Sequence, residues 1–202
     1  MKDGRAVGHQ GPEGERLSEP EQGRIDVQAL FRAHARFVAS FLRRLGAPAA
    51  DVDDLVQEVF LIAHRKGGYV PGAGQPRSWL GAIALRVAST QRRSRGRRRE
   101  EARDAAVEGA IAPDDQAAVL ENRLALQRVQ QALDTLDLEH RAAFVLYEFE
   151  GEACESIAGS LGVPVGTVYS RLHHARRRFL DAHALLDRGE GGVQRRKCAE
   201  GR

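Results

Sequence analysis

Apolar residues recur at three- and four-residue intervals from Val27 to Leu45, with Val27, Leu30, Phe31, Phe37, Val38, Phe41, Leu42 and Leu45 on one stripe. That spacing predicts an amphipathic helix, ended by Gly46 and Pro48. A second stripe, Val52, Leu55, Val56, Val59, Phe60 and Ala63, predicts a helix over Val52 to Lys66 with Asp51 as its N-cap. Gly67 and Gly68 stop it. Residues Gly67 to Gln75 hold four glycines and Pro71 and must form a loop, after which Pro76 suits the first turn of a third helix. This helix turns Trp79, Leu80, Ile83, Ala84 and Val87 inward and ends in an arginine run.

From about Arg95 to Gln116 the periodicity fades among acids, alanines, Gly96, Gly109 and Pro113, the composition of a mobile linker. Two further helices are predicted over Val119 to Leu136 and Leu138 to Phe149, the second capped by Asp137 and burying Ala142, Val145, Leu146 and Phe149. A short helix from Cys154 to Leu161, a turn at Gly162-Val163-Pro164 and a helix opening at Val165 then follow helix-turn-helix grammar. Ile157, Ala158 and Leu161 pack on Val168 and Leu172 in this reading. Val165, Thr167, Ser170, Arg171 and His174 are left to reach base edges in a major groove, and Arg176, Arg177 and Arg178 to reach phosphates. No strand alternation and no fixed repeat occurs. The expected fold class is all-α: two small helical domains, residues 25–95 and 117–186, joined by a flexible acidic linker, 96–116, the second a helix-turn-helix domain. Residues 1–24 and 187–202 are expected to be disordered tails.

Composition narrows the function classes. A chain of 202 residues, 42% hydrophobic and 29% charged, fits one or two small domains. No window approaches the ~20 apolar residues that span a bilayer, and Met1 to Gly23 lacks the apolar core of a signal peptide, so a cytoplasmic protein without membrane insertion is expected. Cys154 and Cys198 stand far apart, without disulfide or zinc spacing. The net charge of +3 conceals segregation: arginines crowd into Arg92 to Arg99 and Arg171 to Arg178, acids into Asp51 to Glu58, Glu100 to Asp115 and Asp134 to Glu155. Different faces therefore suit different partners. An enzyme would have to use Asp54, Glu58 and His64, but no phosphate cradle, nucleophile elbow or third metal ligand accompanies them, and no catalytic residue, metal or cofactor is assigned.

Two stretches carry a resemblance to a known family. Asp53-Asp54-Leu55-Val56-Gln57-Glu58-Val59-Phe60-Leu61 resembles the polymerase-binding helix, and Gly162 to Arg176 the minus-35 reading helix, of extracytoplasmic-function (ECF) sigma factors, in the family's order and separation. The resemblance covers about residues 27 to 185. It implies that Asp53, Asp54, Leu55, Gln57, Glu58, Phe60 and Leu61 bind core RNA polymerase and that Tyr69, Arg77, Arg86, Arg92 and Arg93 serve minus-10 DNA. It gives minus-35 DNA to Val165, Thr167, Ser170, Arg171, His174, Arg177 and Arg178, and makes an anti-sigma factor an expected partner. Tyr69, the only aromatic of the glycine loop, is the candidate base-stacker, whereas the spacing of Trp79 places it in the core. Arg86 and Thr90 stand where the family tends to place Asn and Asp, which shifts minus-10 contact toward charge. Cys154 reads as a partly buried, inert thiol. The nearest rival, a helix-turn-helix regulator acting without polymerase, shares the second domain but leaves the Asp53 to Leu61 strip unexplained.

Overall fold

The computed structural model describes residues 23–72, 74–101 and 117–199. Its helices are α1 (Val27–Arg44), α2 (Val52–Arg65), α3 (Pro76–Glu101), α4 (Ala117–Asp134), α5 (Leu138–Phe144, continued by a π turn over Val145–Phe149), α6 (Cys154–Leu161) and α7 (Val165–Ala199). Among the described residues there is no strand, only an isolated bridge between Ile25 and Tyr69.

Local chemistry explains most boundaries. Asp26 starts α1, its Oδ1 accepting from the Ala29 N–H at 2.9 Å. Asp51 does not cap α2 as expected. It lies in a short 3-10 turn, and its carboxylate instead accepts from Gln91 Nε2 at 2.6 Å and pairs with Arg95 at 2.9 Å, tying the start of α2 to the far half of α3. The arginine run does not end α3, because arginine is a good helix former and one glycine is tolerated within a long helix. The expected linker therefore begins inside a helix, and residues 102–116 lie outside the described residues. Likewise α7 runs on to Ala199 through the segment expected to be a disordered tail. Of the N-terminal tail, 1–22 lie outside the described residues; Arg24 donates from Nη1 to the Gly67 carbonyl at 3.3 Å. Asp137 occupies the N-cap position of α5 without a side-chain capping bond, and the π turn rotates Phe149 outward, leaving it 39% exposed rather than buried.

The two halves share one core. Buried residues run continuously from Leu30 and Phe41 through Leu80 and Ile83 to Leu146, Ile157 and Leu172. Gly81 of α3 lies so close to Leu146 that a Cβ there would come within 2.9 Å of its Cδ2. Polar groups cross the seam as well. The Gln75 N–H donates to Ser156 Oγ at 2.9 Å, Ser156 Oγ to Ser78 Oγ at 2.9 Å, and Ser78 Oγ to Glu152 Oε2 at 2.6 Å. Arg44 and Arg77 both pair with Glu150, at 2.8 and 3.5 Å. Arg141, with no exposed side-chain surface, donates from Nε to the Arg44 carbonyl and pairs with Asp134 at 2.7 Å, while Gln130 Nε2 donates to the Arg43 carbonyl at 3.3 Å. The second half thus supplies the donor to the Arg44 carbonyl at the end of α1 and a further one to that of Arg43, which also accepts from the Gly46 N–H at 2.9 Å. His34 also faces this seam. Burial, aided by Arg77 and opposed by Glu152, holds its pKa below the ordinary 6.5, so a neutral imidazole fits there at pH 7.

Candidate nucleic-acid and protein interfaces

On α2, Asp53, Asp54, Gln57, Glu58 and Leu61 are exposed, and Asp54, Glu58 and Leu61 follow one row at four- and three-residue steps. Leu61 keeps 56% of its surface as an apolar knob at the end of that acidic row. Leu55 and Phe60, expected in the same contact strip, are each 5% exposed and belong to the core. The strip therefore presents its polar row and Leu61 to solvent, with Leu55 and Phe60 packed behind it.

The glycine loop differs most from expectation. Tyr69 is 4% exposed, because its backbone pairs with Ile25 in both directions and its hydroxyl donates to the Gly74 carbonyl. Its ring meets Trp79 edge to face at 5.8 Å. Neither face of Tyr69 is open to a base in this conformation, which corrects its candidacy as a stacker. Trp79 is half-buried and packs against the core, as its spacing implies. The arginines of α3 divide. Arg77 turns to the seam, pairing with Glu150 and lying 5.7 Å over the Phe37 ring, and Arg92 reaches the same junction beside Gly46 and Arg141. Arg86 and Arg93 instead line an open cleft of about 700 Å³ between α3 and the start of α5, with Arg171 on the opposite wall.

The helix-turn-helix forms over the expected residues. Gly162 adopts the left-handed conformation (φ 69°, ψ 37°) that ends α6, and the Thr167 N–H donates to the Pro164 carbonyl at 2.9 Å as α7 begins. Ile157, Ala158, Val168, Leu172 and Ala175 are buried between the two helices and α5. At about 100° per residue, that stripe puts Ser170, His174 and Arg177 on the outer face of α7. All three are exposed, as are Val165, His173 and Arg178; Thr167 is half-buried at the flank. Ser170 Oγ donates to the Thr167 carbonyl at 2.9 Å. Arg171 is not free on this face as expected: it is paired with Glu139, with only 15% of its side chain exposed. Arg176, expected at phosphates, donates to Glu148 at 2.5 Å. His173, Glu139 and Glu148 escaped the sequence reading. The core stripe alone would have placed His173 on an open flank and Arg171 on a covered one, but the acids sit on another helix. Cys154 is 5% exposed, and burial, then Glu155, pushes its thiol pKa up, which disfavours the reactive thiolate.

Comparison with known proteins agrees with both halves. Residues 30–98 match the family model for sigma-70 region 2, and residues 126–179 that for sigma-70, region 4. The chain is 37% identical over 155 residues to the ECF RNA polymerase sigma factor SigE of Mycolicibacterium smegmatis, covering 75% of this chain and 59% of that one. It is 32% identical over 166 residues to the ECF RNA polymerase sigma factor SigM of Mycobacterium tuberculosis, covering 82% of this chain and 81% of that one. The fold is similar to that of the sigma factor RpoE from Bartonella quintana, solved in complex with the anti-sigma factor NepR, with a TM-score of 0.61 and 25% identity over 77% of this chain and 94% of that one. No helix among the described residues is long and apolar enough to cross a membrane. An acidic row with an apolar knob on one half, a helix-turn-helix with an open outer face on the other, and these matches to both place the chain among the ECF sigma factors of the sigma-70 family.

Proposed function

We propose that this chain binds core RNA polymerase in the cytoplasm and directs it to promoters, performing no catalytic step itself. The observation that carries the reading is the presence on one chain of two unlike exposed surfaces: the Asp53, Asp54, Gln57, Glu58 and Leu61 face of α2, and the Ser170, His174 and Arg177 face of α7. The first suits a basic, partly apolar protein partner; the second suits duplex DNA. Arg86, Arg92 and Arg93, exposed on α3, supply the positive track for minus-10 DNA, joined by Arg77 when its pair with Glu150 breaks. RpoE is solved with an anti-sigma factor, and a partner of that kind here would compete with polymerase for the Asp54 and Leu61 face. Mixing the purified chain with core polymerase and genomic fragments should give initiation at specific promoters. Initiation from no fragment, with binding to a palindromic site in the absence of polymerase, would show a regulator instead.

Arg177 is exposed at the end of the outer row, where it meets phosphate rather than base edges. Arg177→Ala should weaken minus-35 binding evenly across base variants and lower the salt slope by about 1. Loss confined to one base position would make it a base reader.

A further inference from the structure

Two ion pairs hold α7 against the helix that begins at Leu138, one on each flank of its outer face. With Val168, Leu172 and Ala175 buried, the 100° step per residue, about that of any α-helix, puts Arg171 to one side and Arg176 to the other. Glu139, in the first turn of α5, pairs with Arg171. Glu148, in the π turn at the other end, accepts from Arg176 Nε at 2.5 Å, and the same guanidinium lies 5.1 Å over the Tyr147 ring. On the Glu139 side, the rings of His140 and His174 also meet edge to face at 6.2 Å.

Between these flanks the buried stripe is Val168, Leu172 and Ala175, continued by Phe179, whose ring packs on Phe144 at 5.0 Å. Rolling matters for a reading helix. A roll of about 20° moves a side-chain tip roughly 6 Å from the axis by about 2 Å, enough to lose a hydrogen bond to a base edge. A grip on both flanks opposes a roll in either sense.

We propose that Arg171 and Arg176 are positioning residues, held by Glu139 and Glu148 so that Ser170, His174 and Arg177 meet the minus-35 groove in one orientation. This rests on the assignment of α7 to minus-35 DNA and changes what its arginines do there. A strut and a base reader respond differently to loss of the acid. For a strut, Glu139 and Arg171 form one unit; for a base reader, Glu139 is dispensable.

The test is a double-mutant cycle in the full chain bound to core polymerase, using minus-35 duplexes with each base varied in turn. Glu139→Gln, Arg171→Gln and the double variant should each lower discrimination at every minus-35 position by about two- to fivefold, the double no worse than either single. Helix content and core binding should not change. Glu148→Gln and Arg176→Gln should behave as a second such pair. Arg171→Lys keeps a charge for Glu139 but cannot make a bidentate guanine contact, and should retain discrimination. The proposal is overturned if Arg171→Gln or Arg171→Lys erases discrimination at a single position while Glu139→Gln leaves it intact. A different failure, in which Ser170→Ala, His174→Ala and Arg177→Ala all leave minus-35 binding unchanged, removes the assignment of α7 to DNA on which the proposal stands.

Discussion

Arg141→Ala should destabilise the chain by about 3 kcal/mol and replace one cooperative unfolding transition with two. The side chain is fully buried, so truncation leaves a cavity, and the Arg44 carbonyl loses the donor that covers the end of α1. Asp134, Arg141's other partner, keeps 54% of its side-chain surface and is rehydrated when the guanidinium goes, which keeps the cost below that of stranding a buried charge. Arg141→Met separates the contributions. It retains most of the volume and removes a charge that burial already disfavours, so its cost should fall to about 1 kcal/mol, the value of the lost hydrogen bond. Urea melts followed by Trp79 emission, which reports α3 in the first half, and by far-UV circular dichroism, which reports both halves, should coincide in the wild type and diverge in Arg141→Ala. Coincident transitions at an unchanged midpoint would show that Arg141 does not couple the halves.

The outcome bears on function because the seam is polar as well as apolar. The relay Gln75, Ser156, Ser78, Glu152 is fully hydrogen-bonded when closed. Each of its groups can take water when open, so closure fixes a geometry at modest net energy. While the seam is shut, Arg77 is paired with Glu150 there and the end of the glycine loop is bonded to Ser156 at the start of α6. Opening would release both.

What was legible in the sequence was local. The ends of α1 and α2 fell within one residue of expectation because glycines stop both, and α6 matched its span because Gly162 can take the left-handed turn. Charge runs misled. The arginines of Arg92 to Arg99 read as a helix end, yet nothing in an arginine side chain breaks a helix, and α3 passes through them. Tyr69 read as an open loop aromatic because its partners, Ile25 and the Gly74 carbonyl, are set by how the loop folds over rather than by periodicity. The seam was invisible for the same reason: Ser78 and Glu152 are 74 residues apart, and Arg44 and Glu150 are 106 apart. Among the site residues, the exposed row of α2 could be read from its stripe. The covered flank of Arg171 could be read from the stripe of α7 too, but not its pairing with Glu139, because that acid comes from another helix.

Asp54→Lys should weaken binding to core polymerase by on the order of 100-fold, about 3 kcal/mol, and do so equally at every promoter. Asp54 is exposed on the row that continues through Glu58 to Leu61, so the substitution disturbs no packing inside the chain. Its cost to the fold is limited to placing a cation in the first turn of α2, where the helix dipole favours an acid, about 0.3–1 kcal/mol and visible as a small drop in melting temperature. On the proposed polymerase contact the interface effect is larger, because the lysine would face the basic surface that the carboxylate attracts, replacing attraction with repulsion. Leu61→Ala should weaken the same binding by about 1–2 kcal/mol without altering its salt dependence, since it removes apolar area rather than charge. Asp54→Lys should change the salt dependence. On the proposed assignment of α2 to polymerase and of the outer face of α7 to DNA, these two variants should leave minus-35 base discrimination untouched once core is saturated. Asp54→Lys holoenzyme that loses activity at some promoters and not others would show that Asp54 lies against DNA, and the acidic row would then have to be reassigned from polymerase to the melted strand.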